Sequence, residues 1–321
     1  MIARRVARFL GLAAVVAVLN FLAPRVLPGS PVFGGAGADA AMLPVQAREA
    51  LLATYFAEAP LHVQFGRYLI GVLRGDLGWS LTSHRPVTRI LFERLPWTVF
   101  LVGGAVVASA GLGAWLGWLS ASSPGRRRVR LLSAAAVGAG ALPEFLLAMI
   151  AIVFLAARWR LFPSSGGITP FVAHAGLMAA LLDLAWHAAL PGLVLVIGLV
   201  PAFTLLVRNA LLPVLGERYM LTAQAKGLAP RRVAWHALRS ALPPVATLFG
   251  LRFGAALAGA AVVERVFAYP GIGWLLYEAV ATRDYPVLQG VVFVSSLGLL
   301  AVIFALDLIA GWLDPRVVDA R

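Results

Sequence analysis

Apolar residues along this chain gather into six runs, at residues 9–27, 97–119, 131–155, 188–207, 245–263 and 287–310. Segments rich in arginine, proline and glycine separate them. About 20 apolar residues in a helix cross a hydrocarbon core of about 30 Å, so each run is long enough to span a bilayer. The pattern predicts an all-α integral membrane protein with six transmembrane helices in a single domain, residues 1–321. Pro143, Pro191 and Pro201 fall inside runs, and membrane helices tolerate proline because neighbours satisfy the freed backbone groups. Pro143-Glu144 is expected to break the third span.

Between the runs, two segments stand out. Residues 28–95, the first external segment, are the least apolar; 34–41 reads as a flexible Gly/Ala loop, and 44–56 and 61–73 as short amphipathic helices. A further short interfacial helix is expected at 177–184. Residues 208–244 are polar and basic. Here a short helix breaks at Gly227, a second begins at Ala229-Pro230, and it ends at Leu242-Pro243-Pro244. The two short helices and their glycine elbow make a knuckle on the membrane protein's surface.

Composition agrees: 61% hydrophobic against 13% charged residues is too apolar for an ordinary soluble domain. The net charge of +13 first suggests nucleic acid, but the arginines cluster between spans and so read as membrane orientation. With both termini in the cytoplasm, Arg4, Arg5, Arg8, Arg126, Arg127, Arg128, Arg130 and the basic residues of 208–244 lie inside. The two short outer loops hold only Arg158, Arg160, Arg265 and Arg283. Arg85, Arg89 and Arg94 lie close to a span on the outer side and are outweighed. The N-terminal run is read as a retained span rather than a cleaved signal, from its length and the lack of a small-x-small site.

No bond chemistry is indicated. The chain has no cysteine, its five histidines lack metal-ligand spacing, and no Gly-x-x-x-x-Gly-Lys-Ser/Thr phosphate loop is present. Catalytic residues, metal ligands and bound cofactors are therefore not expected. Glu144, Glu264 and Asp307 are carboxylates in or near spans, where ion-coupled transport places its relays. For Asp307, capping or an ion pair outweighs proton relay. Arg252, inside the fifth run, either snorkels or pairs with an acid in the bundle, or faces a translocation path and meets a substrate carboxylate. Glu144 is the second candidate for that path. Arg74-Gly75-Asp76 reads as a tight turn rather than an adhesion motif.

Several stretches carry a resemblance. Ala225-Lys226-Gly227-Leu228 resembles the coupling loop of permeases of binding-protein-dependent ATP-binding cassette importers, in the dipeptide, oligopeptide and nickel branch. The generic loop starts Glu-Ala-Ala; Leu221, Thr222 and Ala223 stand there, without the glutamate. Leu27-Pro28-Gly29-Ser30-Pro31 is similar to the branch's exit from its first span, with Ser30 in place of aspartate. Arg74-Gly75-Asp76-Leu77-Gly78-Trp79-Ser80, Val263-Glu264-Arg265-Val266-Phe267-Ala268-Tyr269-Pro270-Gly271-Ile272-Gly273 and Arg283-Asp284-Tyr285-Pro286 resemble its further signatures, and Leu313-Asp314-Pro315-Arg316 its ending.

The resemblance implies a permease subunit for peptides, nickel or small polar ligands, in the bacterial cytoplasmic membrane. It implies a second homologous permease completing a heterodimer, two cytoplasmic ATPase subunits that use the ATP, and an external substrate-binding protein. Ala223, Ala225, Lys226, Gly227, Leu228, Arg231 and Arg232 would form the ATPase contact. The residues alone leave alternatives: an ion-coupled secondary transporter acting without an ATPase, a membrane anchor, or, for the knuckle's second helix, a basic amphipathic helix lying on anionic lipid through Val233, Trp235 and Leu238.

Overall fold

The computed structural model describes residues 2–26, 45, 60–123, 125–172 and 174–313; at some positions within helices only the backbone is described. The described residues are almost entirely helical, and their only bridge of β type, Trp79 with Pro86, is isolated. In chain order the helices are α1 (Ile2–Val26), α2 (Leu61–Leu73), α3 (Val87–Ser122), α4 (Arg127–Ala139), α5 (Glu144–Ala151), α6 (Leu177–Leu215), α7 (Arg218–Ala225), α8 (Pro230–Val266), α9 (Ile272–Ala281) and α10 (Tyr285–Leu313). A π-helical stretch, Ile152–Arg158, continues α5.

Helices α1, α3, α6 and α10 are each long and apolar enough to cross a membrane. The pair α4 and α5 passes the same test together but is bent by 102°. That is the break expected at Pro143-Glu144. Gly140 closes α4 by donating its N–H to the Ala136 carbonyl at 3.1 Å, and Pro143, extended at φ −58°, ψ 137°, precedes α5. Leu10, Val15 and Leu19 of α1, Phe154 beyond α5 and Leu251 of α8 are all exposed, as a lipid-facing surface requires.

Three boundaries differ from the sequence pattern. The interfacial helix expected at 177–184 and the fourth span form one 39-residue helix, α6, with Pro191, Pro201 and Pro213 inside it. The second span starts ten residues earlier, at Val87, and runs through Pro96. The knuckle's second helix does not stop at Pro243-Pro244; α8 continues unbroken to Val266 and contains the fifth apolar run. Proline removes one backbone donor, but a helix held by neighbours continues past it. At a rise of 1.5 Å per residue, α3, α6 and α8 each reach roughly 54–59 Å, well beyond the hydrocarbon core. Their ends therefore stand in the aqueous layers. Helix α9 was not expected at all, and the expected helix 44–56 lies outside the described residues.

The chain divides into two compact units: residues 1–98 with 270–304, and residues 99–269 with 305–321. In the first, Val87, Ile90 and Leu91 of α3 pack with Ile272 and Leu275 of α9 and Val287 and Val291 of α10. Gly290 makes this possible, since a Cβ there would lie 2.5 Å from Val87 Cγ1. In the second, α6 packs on α8 and α4, and α5 packs on both α6 and α8.

Candidate functional site

The knuckle forms at the end of α6. Pro213 sits in the last turn, Gly216 accepts the chain reversal at φ −86°, ψ −7°, and α7 starts two residues later. Helix α7 ends at Ala225. Lys226 still donates its N–H to the Thr222 carbonyl at 3.0 Å, and Gly227 then turns at φ +71°. This is the left-handed region that glycine enters at little cost. Ala229 is extended at φ −54°, ψ 140°, and Pro230 opens α8, where its missing N–H is not needed. The N–H groups of Arg232 and Val233 donate to the Ala229 carbonyl at 2.8 and 3.2 Å.

What fixes the knuckle is an apolar base. Met220 of α7 and Val233 and Ala237 of α8 are buried against Ala121 of α3 and Val207 and Leu211 of α6, with Leu228, Leu238 and Trp118 packed alongside. Val233 and Ala237 are four residues apart and therefore on one helical face. Arg232 and Trp235 are exposed. Val233 and Leu238 are thus committed to protein packing, which removes two of the three residues that a lipid-lying helix needs. Ala225, Lys226 and Gly227 are exposed at the elbow and Leu228 is half-buried; the side chains of Ala223 and Arg231 lie outside the described residues. A rigid base carrying small exposed residues and a positive charge is a surface onto which a protein groove can close. The anchors Met220 and Ala237, and the exposed Tyr219 beside them, were not singled out in the sequence, and Val233 was named only as a lipid contact. The i,i+4 spacing of Val233 and Ala237 was the available signal.

The two path candidates lie in the same unit but are not paired. Glu144 begins α5 at the 102° bend and is half-buried. On α6 it faces Gly198, where a Cβ would lie 3.4 Å from Glu144 Oε1. Arg252 is exposed on α8, so this chain's own bundle does not enclose it, unlike the pairing expected of an isolated charge. Glu264 is fully buried at the end of α8, where its carbonyl accepts the Tyr269 N–H at 2.7 Å. Burial, and then the neighbouring Glu264, push the Tyr269 hydroxyl above its ordinary range. The Asp307 side chain lies outside the described residues.

The Arg-Gly-Asp-Leu-Gly and Arg-Asp-Tyr-Pro signatures have a structural explanation. Asp284 Oδ2 accepts from Ser80 Oγ at 2.6 Å and from the Thr82 N–H at 3.1 Å, and its Oδ1 accepts from the Val287 N–H at 3.3 Å. The carboxylate of the Arg-Asp-Tyr-Pro turn thus ties down the loop that ends in Ser80. Within that loop Gly75 and Gly78 take φ +77° and +85°, and Asp76 accepts the Gly78 N–H at 2.9 Å. Arg74-Gly75-Asp76 is a tight turn, as expected.

A second cluster was missed because Thr169 and His174 reach α6 only through the loop that precedes it. Asp183 on α6 accepts from the N–H and hydroxyl of Thr169, both at 2.7 Å. His174 Nε2 lies 3.1 Å and His187 Nδ1 3.3 Å from the same carboxylate. His187 Nδ1 also lies 3.0 Å from the Asp183 carbonyl, so that nitrogen carries the proton. The cluster pins the segment before α6 to that helix. Among the described residues no group of three His, Cys, Asp or Glu is placed to hold a metal ion.

The family model of the binding-protein-dependent transport system inner membrane component matches residues 113–319, which include the knuckle, the path candidates and the Arg-Asp-Tyr-Pro turn. The chain is 34% identical over 316 residues to the glutathione transport system permease protein GsiC of Salmonella paratyphi A, covering 97% of each chain. It is 33% identical over 321 residues to the dipeptide transport system permease protein DppB of Escherichia coli K12, covering 94% of each. With motifs, membrane-spanning helices and relatives in agreement, the chain belongs to the inner membrane components of binding-protein-dependent transport systems, as an importer permease of the dipeptide and oligopeptide family.

Proposed function

We propose that this chain is one half of the translocation path of an ATP-driven importer for peptides or other small polar ligands, nickel chelates included. The observation that carries the proposal is the knuckle, a solvent-exposed Ala225-Lys226-Gly227 elbow mounted on the buried base of Met220, Val233 and Ala237. A second, similar permease completes a heterodimer, and two ATPase subunits dock on the knuckles. ATP closes the ATPase pair, the knuckles are drawn together, and the spans reopen outward to receive cargo from the binding protein. This chain makes and breaks no bond and holds no cofactor. The peptide preference is supported by the glutathione and dipeptide permeases among its relatives. The test is co-purification of an ATPase with the chain together with ATP-dependent uptake; uptake driven by an ion gradient in the isolated chain overturns it.

The proposed topology has six spans, residues 28–95 outside, the loop 208–244 inside and both termini in the cytoplasm. The chain has no cysteine, so single cysteines report sidedness directly. An impermeant thiol reagent added outside is expected to label Ser164→Cys and not Ser123→Cys. The reverse pattern inverts the topology.

Glu144 and Arg252 are proposed to border the path. Leaving a guanidinium against hydrocarbon costs on the order of 3 kcal/mol on insertion scales, which supports the reading that the exposed Arg252 faces the partner permease or the path. Arg252→Leu is expected to lower either recovery of the permease pair or uptake at equal protein. Unchanged expression and uptake across several ligands remove Arg252 from this role.

A further inference from the structure

Glu144 combines features that a structural carboxylate lacks. It stands at the bend of a broken span, as the first residue of a helix that packs on both α6 and α8. Pro143 and Phe145 flank it in sequence, and on α6 it faces Gly198, where a Cβ would lie 3.4 Å from Oε1. Among the described residues no ion pair or hydrogen bond engages the carboxylate, Arg252 included. It is half-buried, neither sealed in a core nor set on a fully solvated surface. As the first residue of α5 it lies where the helix's unpaired N–H groups favour a negative charge. An ionised carboxylate in a broken span, with no cation beside it among the described residues, needs water or a mobile cation.

We infer that Glu144 is a charge selector, whose carboxylate favours passage of ligands bearing a protonated amine, such as the free ammonium terminus of a peptide, and disfavours anionic ones. This rests on the reading of Glu144 as a path residue. Gly198 is the complementary half of the device. Its missing side chain keeps open the space beside Oε1, and the contact is loose enough that a Cβ there meets only ordinary van der Waals distance.

Both halves are testable in membranes carrying the full set of importer subunits. Gly198→Cys puts the chain's one thiol beside the carboxylate. A cationic methanethiosulfonate reagent is expected to label it at least about tenfold faster than an anionic one of similar size, the order a unit charge about 4 Å away gives in a hydrated site. In the Gly198→Cys, Glu144→Gln double variant that ratio falls towards one, whereas with Glu144→Asp it survives. A ratio unaffected by Glu144→Gln overturns the charge selector while leaving Glu144 in the path. Labelling by neither reagent from either side overturns the path reading itself. A measurement without any substitution guards against a folding defect in the cysteine variant. In the wild-type complex a water-soluble carbodiimide with an amine nucleophile is expected to modify Glu144, detected by peptide mass. Modification by a membrane-soluble carbodiimide alone places the carboxylate against lipid and sinks both readings.

Discussion

Gly227→Val is expected to abolish ATP-dependent uptake while leaving the protein inserted in the membrane at normal abundance. Gly227 sits at φ +71°, and nothing lies within 4 Å of the place a Cβ would occupy. The cost of valine is therefore not a clash with neighbours but the backbone conformation, which costs a β-branched residue about 1–3 kcal/mol. The chain escapes that cost by changing φ at the elbow. Helix α8 is anchored through Val233 and Ala237, and α7 through Met220, so the change falls on the exposed residues between them. Ala225, Lys226 and Leu228 then move relative to the base, and a groove shaped for them no longer fits. The hydrophobic spans lie elsewhere, and their insertion is unaffected. By contrast, Lys226→Ala or Arg232→Ala removes one exposed charge, worth about 0–1 kcal/mol, and is expected to weaken docking mildly. Pull-down of the ATPase from membranes, run beside uptake, measures both. Normal retention and normal uptake by Gly227→Val show that this elbow is not the coupling element.

The knuckle was legible because its signals are local. Gly227, Ala229-Pro230 and the polar composition each report on a few residues, and the backbone follows them: α7 ends at Ala225 and α8 starts at Pro230. The break at Pro143 was legible for the same reason. Boundaries that depend on neighbours were not. Pro243-Pro244 was read as an end, and the second and fourth spans were started at Trp97 and Ala188, yet α8, α3 and α6 run through these positions. A proline states only that one donor is missing; whether the helix stops depends on what packs around it. The His174, Asp183 and His187 cluster was invisible because Thr169 and His174 approach α6 only through a loop whose path no periodicity encodes. The same limit applies to glycine. Gly250 and Gly254 form a small-xxx-small pair, and at Gly250 a Cβ would meet only a Leu306 side chain, at 2.5 Å. The second apolar run has five glycines, and its sequence does not say which of them face a neighbour's backbone.

Gly117→Ala and Gly111→Ala, one residue type in one helix, are expected to act in opposite directions. A Cβ at Gly117 would lie 2.7 Å from the Thr204 carbonyl oxygen and 2.8 Å from Val207 Cβ, and 3.1 Å from the Arg208 nitrogen. Two of these are backbone atoms of α6, which no side-chain rotation moves aside. One turn earlier, Gly113 meets the Phe203 Cβ and the Thr204 backbone in the same way, so α3 and α6 touch along a four-residue glycine spacing. Alanine at Gly117 forces the two helices apart and loosens the Val207 and Leu211 packing on which Met220 and Val233 rest. Overpacking of this kind costs about 1–3 kcal/mol. At Gly111 nothing lies within 4 Å of the built Cβ. Alanine there meets no obstacle and gains up to about 1 kcal/mol of helix propensity. In detergent, the temperature at which half the protein leaves the monodisperse peak is expected to fall for Gly117→Ala and to hold or rise for Gly111→Ala. Gly117→Ala should also weaken ATPase retention, because the packing it disturbs carries the knuckle's base. Equal stability of the two variants means that α3 and α6 do not approach at Gly117 as described, and the base of the knuckle is built differently.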